Sequence, residues 1–316
     1  MTTLLQAKAS NNAHFSSLSS APVAVFVGGT SGIGETMVYA FAKYTQGNAN
    51  IVIIGRNKEA GERILSELPK PSSEGEEPIR LFIQCDVSLM RNVQSAVQQL
   101  TSSLSKINYL ILSTGFLDIS DRKETKEGLE LRLAVIYYSR WLFTRELIGL
   151  IEKAKESGEG GTVMSIGAPG FGGEIDPNDW ELKKNYSSMK GMGASSTYND
   201  LMVEAFADRH PNIPFIHAHP GYVRTPIFHN SPSYLVKLTG FVIFTIGRLF
   251  TISSEECAEW MWSIVATVND GRGSYRMDPH GKDMGKTTKY FGDEEKRKGL
   301  WEHTEATIER SLKAQI

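Results

Sequence analysis

Six short apolar runs, most of them followed by a stretch of helical periodicity, restrict the fold of this chain more than any other feature of its sequence. "PVAVFVGG", "NIVIIGRN", "IRLFIQCDV", "NYLILSTG", "GTVMSIGA" and "PFIHAHPG" have the length and the β-branched content of strands buried on both faces. Between them, "GETMVYAFAKYT", "EAGERILSEL", "RNVQSAVQQLTSSL" and the long "EGLELRLAVIYYSRWLFTRELIGLIEKAKES" carry apolar residues at helical spacing. Strands that alternate with helices pack as a parallel sheet covered on both faces. The expectation is therefore α/β: a doubly wound parallel sheet of the Rossmann type in a single domain. Ligands of such a sheet bind outside the carboxyl ends of the strands, where the strand order reverses.

The 316 residues suit one large α/β domain over 21–316. Residues 1–20 lack an apolar signal core and are rich in Ser, Asn and Thr, so a disordered or loosely packed arm is expected there. The apolar segment "YLVKLTGFVIFTIGRLF", Tyr234 to Phe250, is interrupted by Lys237 and Arg248 and is short of the ~20 residues of a membrane span. It is expected within a substrate lid around 226–252, with membrane-surface contact the less favoured reading. The C-terminal extension 271–316 is charged and ends in what reads as a solvated helix. Lys plus Arg number 34 against 36 Asp plus Glu, with no basic block, so no footprint for nucleic acid is visible. The expected partner is a small molecule, and a homo-oligomer is compatible with the pattern. Cys85 and Cys257 have no metal-ligand spacing, which suits a reducing, cytoplasmic setting, and no Cys or His cluster marks a metal site.

The first strand runs into "VGGTSGIGETM", where Gly28, Gly32 and Gly34 separate it from its helix. Such glycines allow a tight turn, a close approach to a pyrophosphate and close helix–strand packing, and the helix N-terminus faces the anion. After the second strand the chain reads "GRN": Arg56 stands where an acidic residue would hold the ribose hydroxyls of NAD, which favours NADP with its 2′-phosphate. Asp86 and Val87 end the third strand and are expected to flank the adenine.

With these landmarks, "CDV", "EGLELRLAVIYYSRWLFTREL" and "HPGYVRT", the chain resembles the short-chain dehydrogenases/reductases over roughly Pro22 to Val268. It is most similar to the retinol-dehydrogenase-like branch, including members from fungal secondary-metabolite clusters. The resemblance implies an NADP site formed by Gly28, Ser31, Gly32, Ile33, Gly34, Arg56, Asp86, Val87 and the fourth-strand end from Ser113 to Gly115. It also implies that Pro220, Gly221 and Thr225 lie near the nicotinamide. "STG" at 113–115 replaces the family's Asn-Ala-Gly.

The family's oxidoreductases use Asn, Ser, Tyr and Lys to relay a proton. A pair Tyr186 and Lys190 has helical spacing, but its helix would run through Gly191 and Gly193, each costing about 1 kcal/mol relative to Ala. A helix beginning near Met192 instead places Tyr198, Leu201, Met202, Ala205 and Phe206 on one face. In that register "MGASS" stands against the family's Tyr-Gly-Ala-Ser-Lys, and the resemblance implies that Ile136, Ala168, Met192 and Ser196 occupy the four catalytic positions. None of these can transfer the proton or supply the cation. Tyr186, Lys190 and Asp176 remain as other catalytic candidates; Glu174 sits with Asp176 in a loop near the substrate mouth, His217 and His219 are expected to be structural, and Tyr137, Tyr138 and Tyr222 to wall the pocket. The resulting expectation is a redox-neutral cyclase, isomerase or dehydratase acting on a hydrophobic polyketide- or terpenoid-like intermediate, with cofactor binding weakened by loss of the Lys. The rivals are an NADPH-dependent carbonyl reductase with catalytic residues outside the family set and a non-catalytic NADP-binding scaffold.

Overall fold

The computed structural model describes residues 2–72, 76–228, 233, 236–238, 240 and 250–314. Its seven strands are β1 Val23–Val27, β2 Asn50–Gly55, β3 Arg80–Gln84, β4 Tyr109–Leu112, β5 Thr162–Ile166, β6 Pro214–Ala218 and β7 Gly273–Met277. They form one sheet in the order β3-β2-β1-β4-β5-β6-β7, with every neighbouring pair parallel. Every residue of β1, β4, β5 and β6 is buried, as continuous apolar runs in a doubly covered sheet require. The order reverses between β1 and β4, so the crevice for a ligand opens at their carboxyl ends.

Helices α1 (Leu4–Ser16), α2 (Gly32–Tyr44), α3 (Lys58–Glu67) and α7 (Ser254–Val268) share one core with one face of the sheet. Helices α4 (Met90–Ser103), α5 (Ser139–Glu156), α6 (Ser188–Arg209) and α8 (Glu294–Lys313) share the other. A single helical turn, Leu131–Leu133, and a wider π-helical turn, Ala134–Tyr138, lead into α5. Such a turn inside a helix re-aims the residues around it and is frequent at functional sites; this one contains Ile136.

Three expectations are corrected here. The N-terminal arm is a helix: Thr3 and Gln6 cap its start reciprocally, and Ala7, Asn11 and Phe15 fall on one buried stripe. Phe15 packs against Phe41, Tyr44, Tyr109 and Trp262 at centroid distances of 5.2–6.0 Å, and the Asn11 amide donates to both the carbonyl and the carboxylate of Glu259, each at 2.9 Å. One buried residue per turn, with Asn among them, gave no apolar periodicity to read. Beyond Gly271 the chain supplies β7, hidden in sequence by Arg276, which is 3% exposed. Finally, α8 is not a solvated helix: Leu300, Thr304, Ile308 and Ser311 are buried, and Thr304 pairs its hydroxyl with that of Tyr137 at 2.6 Å. The expected lid around 226–252 lies largely outside the described residues. No described helix is long and apolar enough to cross a membrane.

Two outcomes follow from this packing. Phe15→Ala removes a buried aromatic and is expected to cost about 3–4 kcal/mol in a urea titration, whereas a loosely packed arm would show almost no change. Burial pushes His303 of α8, whose ring meets the Tyr138 hydroxyl at 3.0 Å, down to about 4. The unfolded chain takes up this proton near pH 6.5 and the folded chain only near about 4, so stability present above pH 6.5 is lost as the pH falls between those values. A loss of roughly 1–3 kcal/mol is expected, smaller in His303→Gln, measured by denaturation at pH 7 and pH 4.5.

Candidate functional site at the carboxyl edge of the sheet

A cavity of about 490 Å³ opens at the β1/β4 reversal and extends over the ends of β2 and β3. Its shape follows from how closely α2 approaches the strands. Gly28 has φ of +97°, and a Cβ on Gly34 would lie 2.6 Å from the Ser113 hydroxyl oxygen and against the Gly28 carbonyl. The first N–H groups of α2 have no partner within the helix, and the Ser31 hydroxyl makes no cap hydrogen bond. These donors turn toward the cavity, which Ser31, Gly32, Ile33 and Gly34 line. The donor set is that of an anion site, and its position fits the pyrophosphate of a dinucleotide. Arg56, exposed at the end of β2, lines the same cavity, and no acidic residue occupies its position.

Asp86, Val87, Ser113, Gly115 and Thr225 line the cavity as well, with Thr225 packed against Gly32 from the opposite wall. Pro220 and Gly221 do not line it. Phe116, Asp118, Lys123, Leu131 and Val135 do, and sequence reasoning missed them. The available signal was their position in the connection after β4, since loops at the carboxyl edge carry function in such folds.

The positions expected for a proton relay lie in the π-helical turn before α5 (Ile136), just beyond β5 (Ala168) and on α6 (Met192 and Ser196). The Ser196 hydroxyl donates to the Ala168 carbonyl. Met192 precedes Ser196 by one turn, and Asn199 donates to the carbonyl of Ile136 at 3.0 Å while accepting from Ser165 at 2.7 Å. Ile136, Ala168 and Ser196 are thus tied to one region. Tyr186 and Lys190 are not brought together. Tyr186 precedes α6, which Ser187 caps, and its hydroxyl points to Glu130 at 3.4 Å. Burial and the Glu130 carboxylate raise the phenol above its ordinary value, the opposite of activation. Lys190 is exposed and donates back to the Asn185 carbonyl at 3.0 Å. The helix begins at Ser188 rather than near Met192, with both glycines inside it. Gly193 lets the 172–173 loop pack against the helix, where Thr197 exchanges hydrogen bonds with Gly173 at 2.8 and 3.1 Å.

Asp176 is exposed, and its carboxylate accepts the Asn178 N–H at 2.8 Å within a surface turn. Glu174 pairs with Lys296 at 3.6 Å. Tyr137 and Tyr138 point into the core toward Thr304 and His303, so they do not wall the pocket. His217 is fully buried: Nδ1 donates to Asp200 at 2.6 Å, which leaves Nε2 to accept the Ala168 N–H at 3.2 Å. Burial holds it below its ordinary pKa, and its geometry is structural. His219 stacks on Phe171 at 4.9 Å and accepts the Gly221 N–H through Nδ1 at 3.3 Å. The described residues contain no cluster of metal-ligating groups, and both cysteines are buried and unpaired.

A doubly wound sheet with a glycine turn at its reversal defines a Rossmann-type protein with a built dinucleotide cleft. The chain belongs to the short-chain dehydrogenase family, whose pattern it matches over residues 22–234. It is 35% identical over 237 residues to Oxidoreductase AN1596 of Emericella nidulans, covering 75% of this chain and 69% of that protein. It is 30% identical to Oxidoreductase andH of Emericella variicolor, covering 75% and 67%. Among solved structures, the 3-ketoacyl-(acyl-carrier-protein) reductase from Brucella melitensis complexed with NADH superposes with a TM-score of 0.60 at 20% identity, over 83% of this chain and 98% of that one. The Pseudomonas aeruginosa RhlG/NADP active-site complex does so with a TM-score of 0.60 at 16% identity, over 85% and 97%. At these identities the two structures attest the fold.

The packing at Gly34 predicts that Gly34→Ala costs about 1–3 kcal/mol through overpacking, read by urea denaturation. Lys190→Ala, on the surface, is expected to stay within about 0.5 kcal/mol of the parent.

Proposed function

We propose that the chain binds NADP in this cleft and acts in secondary metabolism on a hydrophobic polyketide- or terpenoid-like intermediate. The proposed reaction leaves the oxidation state of the substrate unchanged, as in a cyclisation, isomerisation or dehydration. The observation that carries the reading is the hydrogen bond from Ser196 to the Ala168 carbonyl. It supports the register in which Met192 stands at the family's acid position and Ser196 at that of its cation. A thioether gives no proton, and a hydroxyl already bonded to a backbone carbonyl supplies no positive charge. Arg56 would hold the 2′-phosphate, and the α2 N-terminus with Ser31 the pyrophosphate. The bound group would supply hydride-transfer chemistry in a family oxidoreductase. In this chain Ile136, Ala168 and Met192 would form an apolar floor that orients the substrate and excludes water, and orientation alone can supply a large part of an acceleration.

A reductase is the second reading. It is supported by the names of the fungal relatives and by His219, for whose Nε2 no partner occurs among the described residues. Burial and the neighbouring His217 lower its pKa, so a proton donated by His219 would make activity fall as the pH rises above a value below 6.5.

Restoring the family residues separates the two. The parent is expected to show no NADPH oxidation above background with a panel of ketones and aldehydes. The combined variant Ile136→Asn, Ala168→Ser, Met192→Tyr, Ser196→Lys is expected to gain roughly a hundredfold. Enzyme-like NADPH oxidation by the parent that survives Met192→Ala and is lost in His219→Ala overturns the redox-neutral reading in favour of the reductase.

A further inference from the structure

Arg140, one turn beyond Ile136 and only 2% exposed, is a buried cation to which no carboxylate is bonded among the described residues. Its Nη1 donates to the Ser165 hydroxyl at 2.6 Å and the Ile166 carbonyl at 2.8 Å, and its Nη2 donates to the Thr114 carbonyl at 2.6 Å. Its Nε has no partner. The two acids buried on the facing side of α6 are already held, Asp200 by His217 at 2.6 Å and Arg276 at 3.0 Å, and Glu204 by Lys286 at 3.0 Å and Arg297 at 3.1 Å. With His217 neutral, the two guanidiniums and one carboxylate leave the cluster with a net charge of +1. Burial pushes Arg140 down to about 9, so it stays charged at neutral pH. Neutral dipoles compensate such a charge only in part.

The carbonyls that Arg140 grips belong to the residues at the ends of β4 and β5. Arg56 and Asp86 place the adenosine half of a dinucleotide over β2 and β3, so its other half must run over β4 and β5. Thr114 itself lines the cavity. Resting on the cofactor reading above, we infer that Arg140 makes the site select the reduced cofactor over the oxidised one. The oxidised nicotinamide ring carries a positive charge and the reduced ring none, so an uncompensated cation beneath the floor repels the first and leaves the second unaffected. At the effective dielectric of a protein interior, charges separated by a layer of backbone give a discrimination on the order of tenfold. Arg140 acts through the floor and is a positioning and specificity residue rather than a catalytic one.

The test is the pair of dissociation constants for NADPH and NADP⁺, measured by calorimetry on the full chain, for the parent, Arg140→Gln and Arg140→Lys. The parent is expected to bind NADPH roughly tenfold more tightly, Arg140→Gln to bring the ratio close to one, and Arg140→Lys to keep most of the preference. Equal affinities in the parent, or an unchanged ratio in a folded Arg140→Gln, overturn the inference alone. Binding of neither form overturns the cofactor reading and this inference with it. If Arg140→Gln does not fold, Arg140→Met, of similar length and without the charge, is measured in its place, and an unchanged ratio there overturns the inference.

Discussion

The close approach of α2 to the ends of β1 and β4 sets everything at the carboxyl edge of the sheet. With no side chain at Gly34, the helix backbone settles against the Gly28 carbonyl and the Ser113 hydroxyl. That contact aims the free N–H groups of the first turn into the cleft at the strand-order reversal. A larger residue there would tilt the helix and close or misdirect the anion site before any ligand arrived. The cleft is thus built by backbone packing, and it persists whatever chemistry takes place further along the edge.

The other half of the edge is held differently. Ser196, Asn199 and Asp200 lie within about one turn of each other on one side of α6, and each directs its polar atoms at backbone or at a second buried group. Ser196 holds the Ala168 carbonyl, Asn199 joins Ile136 to Ser165, and Asp200 fixes the ring of His217, which in turn holds the Ala168 N–H. Buried polar groups require such partners. Their effect is a floor held by mutual hydrogen bonds between α6, the end of β5 and the turn before α5. Arg140 belongs to the same floor and gives it a charge.

Much of this was legible in the chain itself. The first six strands and the glycine turn were visible because a doubly covered parallel sheet needs uninterrupted apolar runs and the turn needs glycine at fixed spacing. Most of the residues expected around the cofactor line the cavity for the same reason, since strand ends locate them. Polar side chains are buried where the reading failed: Asn11 in α1 and Arg276 in β7, which were not seen as elements, and Thr304 and Ser311 in α8, whose helix was seen but whose buried face was not. Periodicity of apolar residues cannot find a stripe made of Asn, Thr and Ser. The start of α6 was misplaced because Gly191 and Gly193 argue against a helix locally. Ser187 caps that turn, and packing against Tyr186 and the 172–173 loop outweighs the glycine penalty.

The central claim is that an intact cofactor cleft accompanies a floor without the family's proton relay. It is tested most directly by incubating the protein with candidate polyketide- and terpenoid-like compounds and NADPH deuterated at the transferable position, then weighing any product. The account predicts a product isomeric with the substrate, or lighter by one water, with no deuterium incorporated. A product heavier by the transferred deuterium and a proton would contradict it.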